Sequence, residues 1–347
     1  MSDFIFRKYK GEDKEQVLSL LGANLWHFPH EERLAYFNWK YEQNPYTEAP
    51  LGFVCLDGER IISFRGYMTQ PISIAGKTYY SVASGDTVTG SDYRRKGVFE
   101  RMTKYSLEEL EKDSQIKVIT NSSSGWPTSS GCQKLGWYPL TERGHLFSFT
   151  WRSFVSKQCI PTFCSHVKGD TCIILSTECK AAEMGHLAQS KIPEDLISVF
   201  SDDKYMNWRF ANPHSQYFFA YYYRKDELIA YLVLKRISGR KYDLVDSQYG
   251  EEKHLRLMLQ KMHRWLNPLY IINWIVNQND AINQHPNRFG FVNLNLILNK
   301  ISKFKKPPFL IRTTKVCQHE QDWKIIEGID MRNIANWSIN KVIADEI

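Results

Sequence analysis

The sequence contains neither G-x-x-x-x-G-K-[ST] nor G-x-G-x-x-G, so it lacks the P-loop signature and the Rossmann dinucleotide fingerprint. Long apolar runs are missing too. Leu269-Tyr270-Ile271-Ile272 is far short of a membrane span, and Met1-Ser2-Asp3-Phe4-Ile5-Phe6-Arg7-Lys8 has no signal-peptide apolar core. A cytoplasmic protein without a membrane span is expected. No block of Lys and Arg with interleaved aromatics stands out, so no nucleic-acid partner is expected. The cysteines number seven, an odd count. Cys159, Cys164, Cys172 and Cys179 lie close to His166, but the spacing C-x4-C-x-H-x5-C-x6-C has no C-x2-C pair. Reduced thiols and no metal are the expectation.

At 347 residues the chain is long enough for about two domains. Its net charge of +7 suits a polyanionic cofactor or a phosphorylated substrate. The positive charge matters most in one place. Residues 80–90 are small and β-branched, as in a strand. Ser91-Asp92-Tyr93-Arg94-Arg95-Lys96-Gly97 reads as a basic loop. Val98, Met102, Tyr105 and Leu110 then recur at helical spacing. A loop opening a helix presents unpaired backbone N–H groups and the positive end of the helix dipole. Arg94, Arg95 and Lys96 add charge, and Gly97 removes the Cβ that would hold a ligand away. The pattern predicts a phosphate or pyrophosphate site; the bland alternative is a solvated turn, with Asp92 capping the helix or loop amides.

Arg94-Arg95-Lys96-Gly97-Val98-Phe99 resembles the R/Q-x-x-G-x-G/A loop of the GNAT superfamily of acyl-CoA-dependent N-acyltransferases, whose amides hold the CoA pyrophosphate. Lys134-Leu135-Gly136-Trp137 is similar to that family's K-L-G-F/W turn, and Val118-Ile119-Thr120-Asn121 falls where its next strand belongs. The resemblance implies acetyl-CoA or another acyl-CoA as co-substrate. It places Thr87, Val88, Thr89, Arg94, Arg95, Lys96, Gly97, Val98, Phe99 and Asn121 at the cofactor. Asp86, on the strand before the loop, is a candidate base or acceptor contact; the alternative is an ordinary hydrogen-bonded carboxylate. There are two departures. Phe99 stands where the family has Gly or Ala, so its side chain must point away from the cofactor. Cys132 stands where many members have a Tyr acting as acid toward the CoA thiolate, and a small buried Cys is expected to be non-essential. Asn121, Ser122, Ser123, Ser124, Thr128, Ser129 and Ser130 border the pantetheine arm in the family, or form a surface loop.

Three matches in the same order suggest an internal duplication. Tyr36-Phe37-Asn38-Trp39-Lys40-Tyr41 with Asn44-Pro45 matches Tyr205-Met206-Asn207-Trp208-Arg209-Phe210 with Asn212-Pro213. A strand–turn–strand reading follows each copy, and Leu135-Gly136-Trp137 corresponds to Phe289-Gly290-Phe291. Trp39 and Trp208 read as core anchors. The second half has no basic loop; Gly250-Glu251-Glu252-Lys253-His254 opens its helix, and two carboxylates would repel a pyrophosphate. The expected fold is therefore α/β (α+β): two tandem GNAT-like domains, each a mixed, largely antiparallel sheet flanked by helices. Residues 1–150 form the acyl-CoA domain, 151–167 a linker and 168–347 a second domain without the loop. The implied activity is N-acyl transfer to a small amine, with a nucleotide-linked amino sugar among the candidates, bound in a cleft between the halves. An aminoacyl-tRNA-dependent Fem-type transferase and a non-catalytic acyl-CoA sensor are the alternatives.

Overall fold

The structure, a computed structural model, describes residues 4–122, 125–142, 144–150, 163–167 (backbone only), 169–294, 306–314 and 324–343. In chain order the first half runs β1 (Ile5–Lys8), α1 (Lys14–Asn24), α2 (His30–Phe37), β2 (Gly52–Asp57), β3 (Arg60–Ile74), β4 (Lys77–Thr89), α3 (Val98–Leu110), β5 (Ile116–Asn121), α4 (Trp126–Lys134), β6 (Tyr138–Thr141) and β7 (His145–Phe149). The rest runs β8 (Phe163–Val167), β9 (Thr171–Ser176), α5 (Ala181–Gln189), β10 (Ile197–Val199), α6 (Asp203–Arg209), β11 (Tyr217–Arg224), β12 (Glu227–Ser238), β13 (Lys241–Tyr249), α7 (Glu252–Leu266), β14 (Tyr270–Trp274), α8 (Ala281–Gln284), β15 (Val292–Asn293), β16 (Phe309–Thr313), a small hairpin of β17 (Ile325–Ile326) and β18 (Ile329–Asp330), and β19 (Trp337–Ser338).

Two mixed, largely antiparallel sheets result, flanked by helices. The first has the order β1-β2-β3-β4-β5-β16-β6, with β10 on β3 and β19 on β10. The second has the order β15-β7-β14-β13-β12-β11-β9-β8. Alternation explains the long aromatic strand β11. Phe218, Ala220 and Tyr222 face α7, whose Leu255, Met258, Leu259, Met262 and Leu266 form one stripe. Tyr217, Phe219, Tyr221 and Tyr223 face the other way, toward Ala181, Met184 and Leu187 of α5. In the first half, Val98, Met102, Leu107 and Leu110 bring α3 onto Phe53, Tyr67, Val82 and Ile119.

Sheet membership does not follow the expected division at residue 150. The halves exchange strands reciprocally. β7, from the first half, lies between β14 and β15 of the second sheet. β16, from the second half, lies between β5 and β6 of the first. Nor is the segment 151–167 a linker throughout, since Phe163–Val167 pairs with β9. Backbone pairing along an edge outweighs proximity in sequence, because each strand leaves N–H and C=O groups that need partners. The remaining expected-linker residues, 151–162, lie outside the described residues, as does Lys305 of the expected 305–308 turn.

Candidate active site

The site grows from a divergence in the first sheet. β4 and β5 pair in parallel from Tyr80–Ile116 to Ala83–Thr120. Beyond that point β4 stays with β3, out to Ser63–Thr89, and leaves β5. Its backbone edge from Ser84 onward therefore faces an opening. A β-bulge sits at the same level: Arg65 pairs with Thr87 and Tyr67 with Ser84, so Gly66 alone faces Gly85 and Asp86. Such a bulge redirects side chains. The second sheet repeats the design, with β13 leaving β14 after Asp243–Ile272 and a bulge between Leu244 and Asp246.

The basic loop lies at the mouth of the first opening. Ser91–Tyr93 form a single 3-10 turn, Arg95 has φ 63° and Gly97 has φ 74°. Gly97 occupies the N-cap position of α3, and no side chain caps that helix. Asp92 therefore does not cap it; the Asp92 carboxylate accepts from the Ser91 hydroxyl at 3.1 Å instead. A Cβ on Gly97 would meet nothing within 4 Å, so the space beside this turn is open. Arg94 is tied down, donating through Nη2 to Asn24 Oδ1 at 2.9 Å and through Nε to the Thr89 carbonyl at 3.2 Å. Lys96 lies over the Tyr93 ring, and Arg94 to Gly97 are exposed. Val98 is buried in the core. The Phe99 ring turns inward, 5.6 Å from the Arg65 guanidinium and against Gly131 of α4.

The two faces of β4 carry different chemistry. Asp86 is buried on the α1/α2 side. Its Oδ1 accepts from Trp26 Nε1 at 2.9 Å, and its Oδ2 from Lys40 Nζ at 2.6 Å and the Tyr41 hydroxyl at 2.7 Å. A π-helical turn at Asn38–Glu42 brings Lys40 and Tyr41 there. Tyr41 reaches Asp86 because residue 66 is glycine; a Cβ there would overlap the Tyr41 hydroxyl. On the opposite face Arg65 donates to Tyr67 Oη at 2.6 Å, Ser84 Oγ at 2.8 Å and Thr87 Oγ1 at 3.3 Å. Cys132 is buried beside it and accepts from Asn121 Nδ2 at 3.6 Å. Burial pushes the Cys132 thiol pKa up, while Arg65 and Asn121 pull it down. Thr87 and Thr89 are half-buried, and Val88 is buried. Sequence reasoning missed Arg65 and Lys40; a charged residue inside an otherwise apolar strand or aromatic cluster was the available signal.

The Lys134–Trp137 turn ends α4 with Gly136 at φ 89°. Arg312 of β16 donates to the Leu135 carbonyl at 2.7 Å and lies over the Trp137 ring, so the exchanged strand fixes this turn. The second half differs at the equivalent of the basic loop. Glu251 is the N-cap position of α7, and Lys253 lies 2.6 Å from its carboxylate. Two small recesses lie along β13, lined partly by Lys341 and its neighbours. Between the halves, Trp39 and Trp208 are buried and fill the seam at that point. Among the described residues no group of three or more His, Cys, Asp or Glu side chains is placed to hold a metal, and no helix is long and apolar enough to cross a membrane. Cys159 and the side chains of Cys164 and His166 lie outside the described residues, as do Ser123 and Ser124.

Comparison with known proteins bears on the fold. An acetyltransferase (GNAT) domain family model matches residues 6–138. A conserved protein of unknown function from Enterococcus faecalis V583 superposes with a TM-score of 0.64 at 13% identity, over 90% of this chain and 73% of that one. A GCN5-related N-acetyltransferase from Anabaena variabilis gives 0.62 at 11%, over 90% and 74%. A tandem GNAT protein from the clavulanic acid biosynthesis pathway gives 0.55 at 11%, over 91% and 100%. No curated protein matches the chain.

Proposed function

We propose, from the premise that the chain carries the GNAT fold in tandem, that it transfers an acyl group from acyl-CoA to the amine of a small polar acceptor. The observation that carries this reading is the uncapped start of α3. Its amides, the left-handed Gly97 and the exposed Arg94, Arg95 and Lys96 lie together at the mouth of the β4–β5 opening. Acetyl-CoA is the simplest donor. Its pyrophosphate would lie on the 94–99 loop and its thioester along the unpaired edge of β4 at Thr87 to Thr89. Asn121 would line the facing strand.

Attack by a neutral amine nitrogen forms the C–N bond, and the C–S bond then breaks with its electron pair on sulphur. Positioning and aligned backbone donors lower that barrier without a covalent intermediate. Asp86 would orient Tyr41 and Lys40 on the acceptor side. The second half, whose helix opens on Glu251 and Glu252, would contribute structure rather than a second CoA site. An amino sugar on a nucleotide suits the surplus of basic residues as acceptor.

Calorimetry with CoA should give one site per chain. Gly97→Val should abolish it, because a β-branched residue is strained at φ 74° and blocks close approach. Thiol release against an amine panel then identifies the acceptor. Two equivalent CoA sites, or unchanged binding in Gly97→Val, would overturn the reading.

A further inference from the structure

Arg65 is 0% exposed, and no carboxylate among the described residues pairs with it. Its partners are a phenol, two hydroxyls, the Cys132 thiol and the Phe99 ring, all neutral. A buried cation is costly unless something compensates it. Lys40 on the other face has Asp86 for this purpose; Arg65 has nothing equivalent. Its position is specific. Ser84, to which it donates, is the residue immediately past the last β4–β5 pair, and Thr87 lies farther along the same unpaired stretch. The guanidinium thus sits where the two strands begin to part. Tyr67, whose oxygen accepts from Arg65, also bonds Ser106 of α3 at 2.8 Å, so the group is fixed from three elements.

Resting on the acyl-transfer reading, we propose that Arg65 supplies the positive charge that stabilises the CoA thiolate as it leaves. The resemblance assigns leaving-group assistance to a tyrosine at the position of Cys132. Here a small buried thiol stands against the guanidinium in place of that phenol, and an electrostatic device replaces a proton donor. The balance is complete without an acid: the amine nitrogen bonds to the acyl carbon, the sulphur departs with the electron pair, and the amine proton passes to solvent. A fixed charge in a dry site is worth more than the same charge in water, which favours the ionised sulphur over the neutral thiol. The titratable groups facing the site are Tyr67 from β3 and Cys132 from α4; β4 and α3 contribute only hydroxyls and the Phe99 ring.

The test is the ionisation of bound CoA, followed by thiolate absorbance as the difference between the full-length protein with CoA and with desulfo-CoA. The wild-type complex should titrate at least about one unit below a free thiol, near 8.5. Arg65→Gln should return the value to that of the free thiol, and Arg65→Lys should restore part of the shift. A purely structural role for Arg65 would leave the wild-type thiol at its free value. CoA that binds with an unshifted thiol, or a shift that persists in a folded Arg65→Gln, overturns this inference and leaves the acyl-transfer reading standing. Failure of CoA to bind the wild-type protein overturns the reading beneath it. If Arg65→Gln does not fold, the wild-type titration still decides.

Discussion

Trp39 and Trp208 exchange hydrogen bonds: Trp39 Nε1 donates to the Trp208 carbonyl at 2.6 Å, and Trp208 Nε1 donates to the Trp39 carbonyl at 2.7 Å. Their rings stack with centroids 5.7 Å apart at 20°. They are the matching residues of the internal repeat, so this reciprocal contact marks the axis relating the two halves. Replacing either by Phe keeps most of the apolar surface but removes one of the two hydrogen bonds that join the halves here. Each single change should cost about 0.5–1.5 kcal/mol. The double variant should depart from additivity by about 0.5 kcal/mol or more, since the rings touch. Urea unfolding of the four proteins measures this; strict additivity would mean that the pair does not couple the halves.

The strand exchange makes each half dependent on the other. A fragment ending at Thr150 would lack β16, leaving β5 and β6 without the strand between them, and would carry β7 without β14. These unpaired edges cannot be satisfied by water without exposing Leu310-contacting and Ile271-contacting core. The fragment should lack cooperative unfolding and CoA binding when made alone. Made together with residues 151–347 it should recover both. An independently folded 1–150 fragment would show that the exchange is dispensable.

Periodicity and local chemistry made much of this legible in advance. The α3 stripe, the β5 run, the turn at Gly136 and the paired Trp motifs each announced themselves over a few residues. Strand exchange did not, because β7 and β16 look like any short apolar strand and their partners lie in the other half. Asp86 was visible as a carboxylate on the right strand, yet its three donors come from residues 26, 40 and 41, which only the fold brings together. Arg65 was hidden because a lone cation in a strand reads as a solvent-facing residue, and nothing local says that the strand is buried on both faces. Many of the Tyr and Trp side chains are buried core.

Phe99 and Gly131 should behave as a matched pair. A Cβ at Gly131 would lie 2.8 Å from a Phe99 ring carbon, closer than packing allows. Alanine in mid-helix otherwise gains about 1 kcal/mol over glycine. In the wild-type background that gain is opposed by overpacking of about 1–3 kcal/mol, so Gly131→Ala should be neutral or destabilising. In a Phe99→Leu background the clash is relieved, and the same substitution should stabilise. Urea midpoints decide; the same sign and size in both backgrounds would show that the ring and the glycine do not constrain each other.

Asp246, which is buried, and His263, which is half-buried, should set opposing pH dependences. Burial pushes the Asp246 carboxyl up from 3.8 to about 6, although it accepts from the Tyr231 hydroxyl and from Asn340. Burial brings the His263 ring down from 6.5 to about 4, where it bonds Ser148 at 3.1 Å and Thr150 at 2.7 Å. For Asp246 the folded state holds a proton that the unfolded state has lost, so its contribution falls as pH rises from about 4 to 6. For His263 the unfolded state takes up a proton that the folded state refuses, so its contribution falls as pH drops from 6.5 toward 4. Each spans about 3 kcal/mol at full extent, and over this window they largely cancel. Asp246→Asn removes the falling limb: relative to wild type it should gain stability as pH rises from 4 to 6. His263→Gln removes the other limb, so relative to wild type it should gain stability as pH drops from 6.5 to 4. Urea midpoints of the three proteins at pH 4, 5, 6 and 7 measure the differences, and parallel curves for all three would refute both assignments.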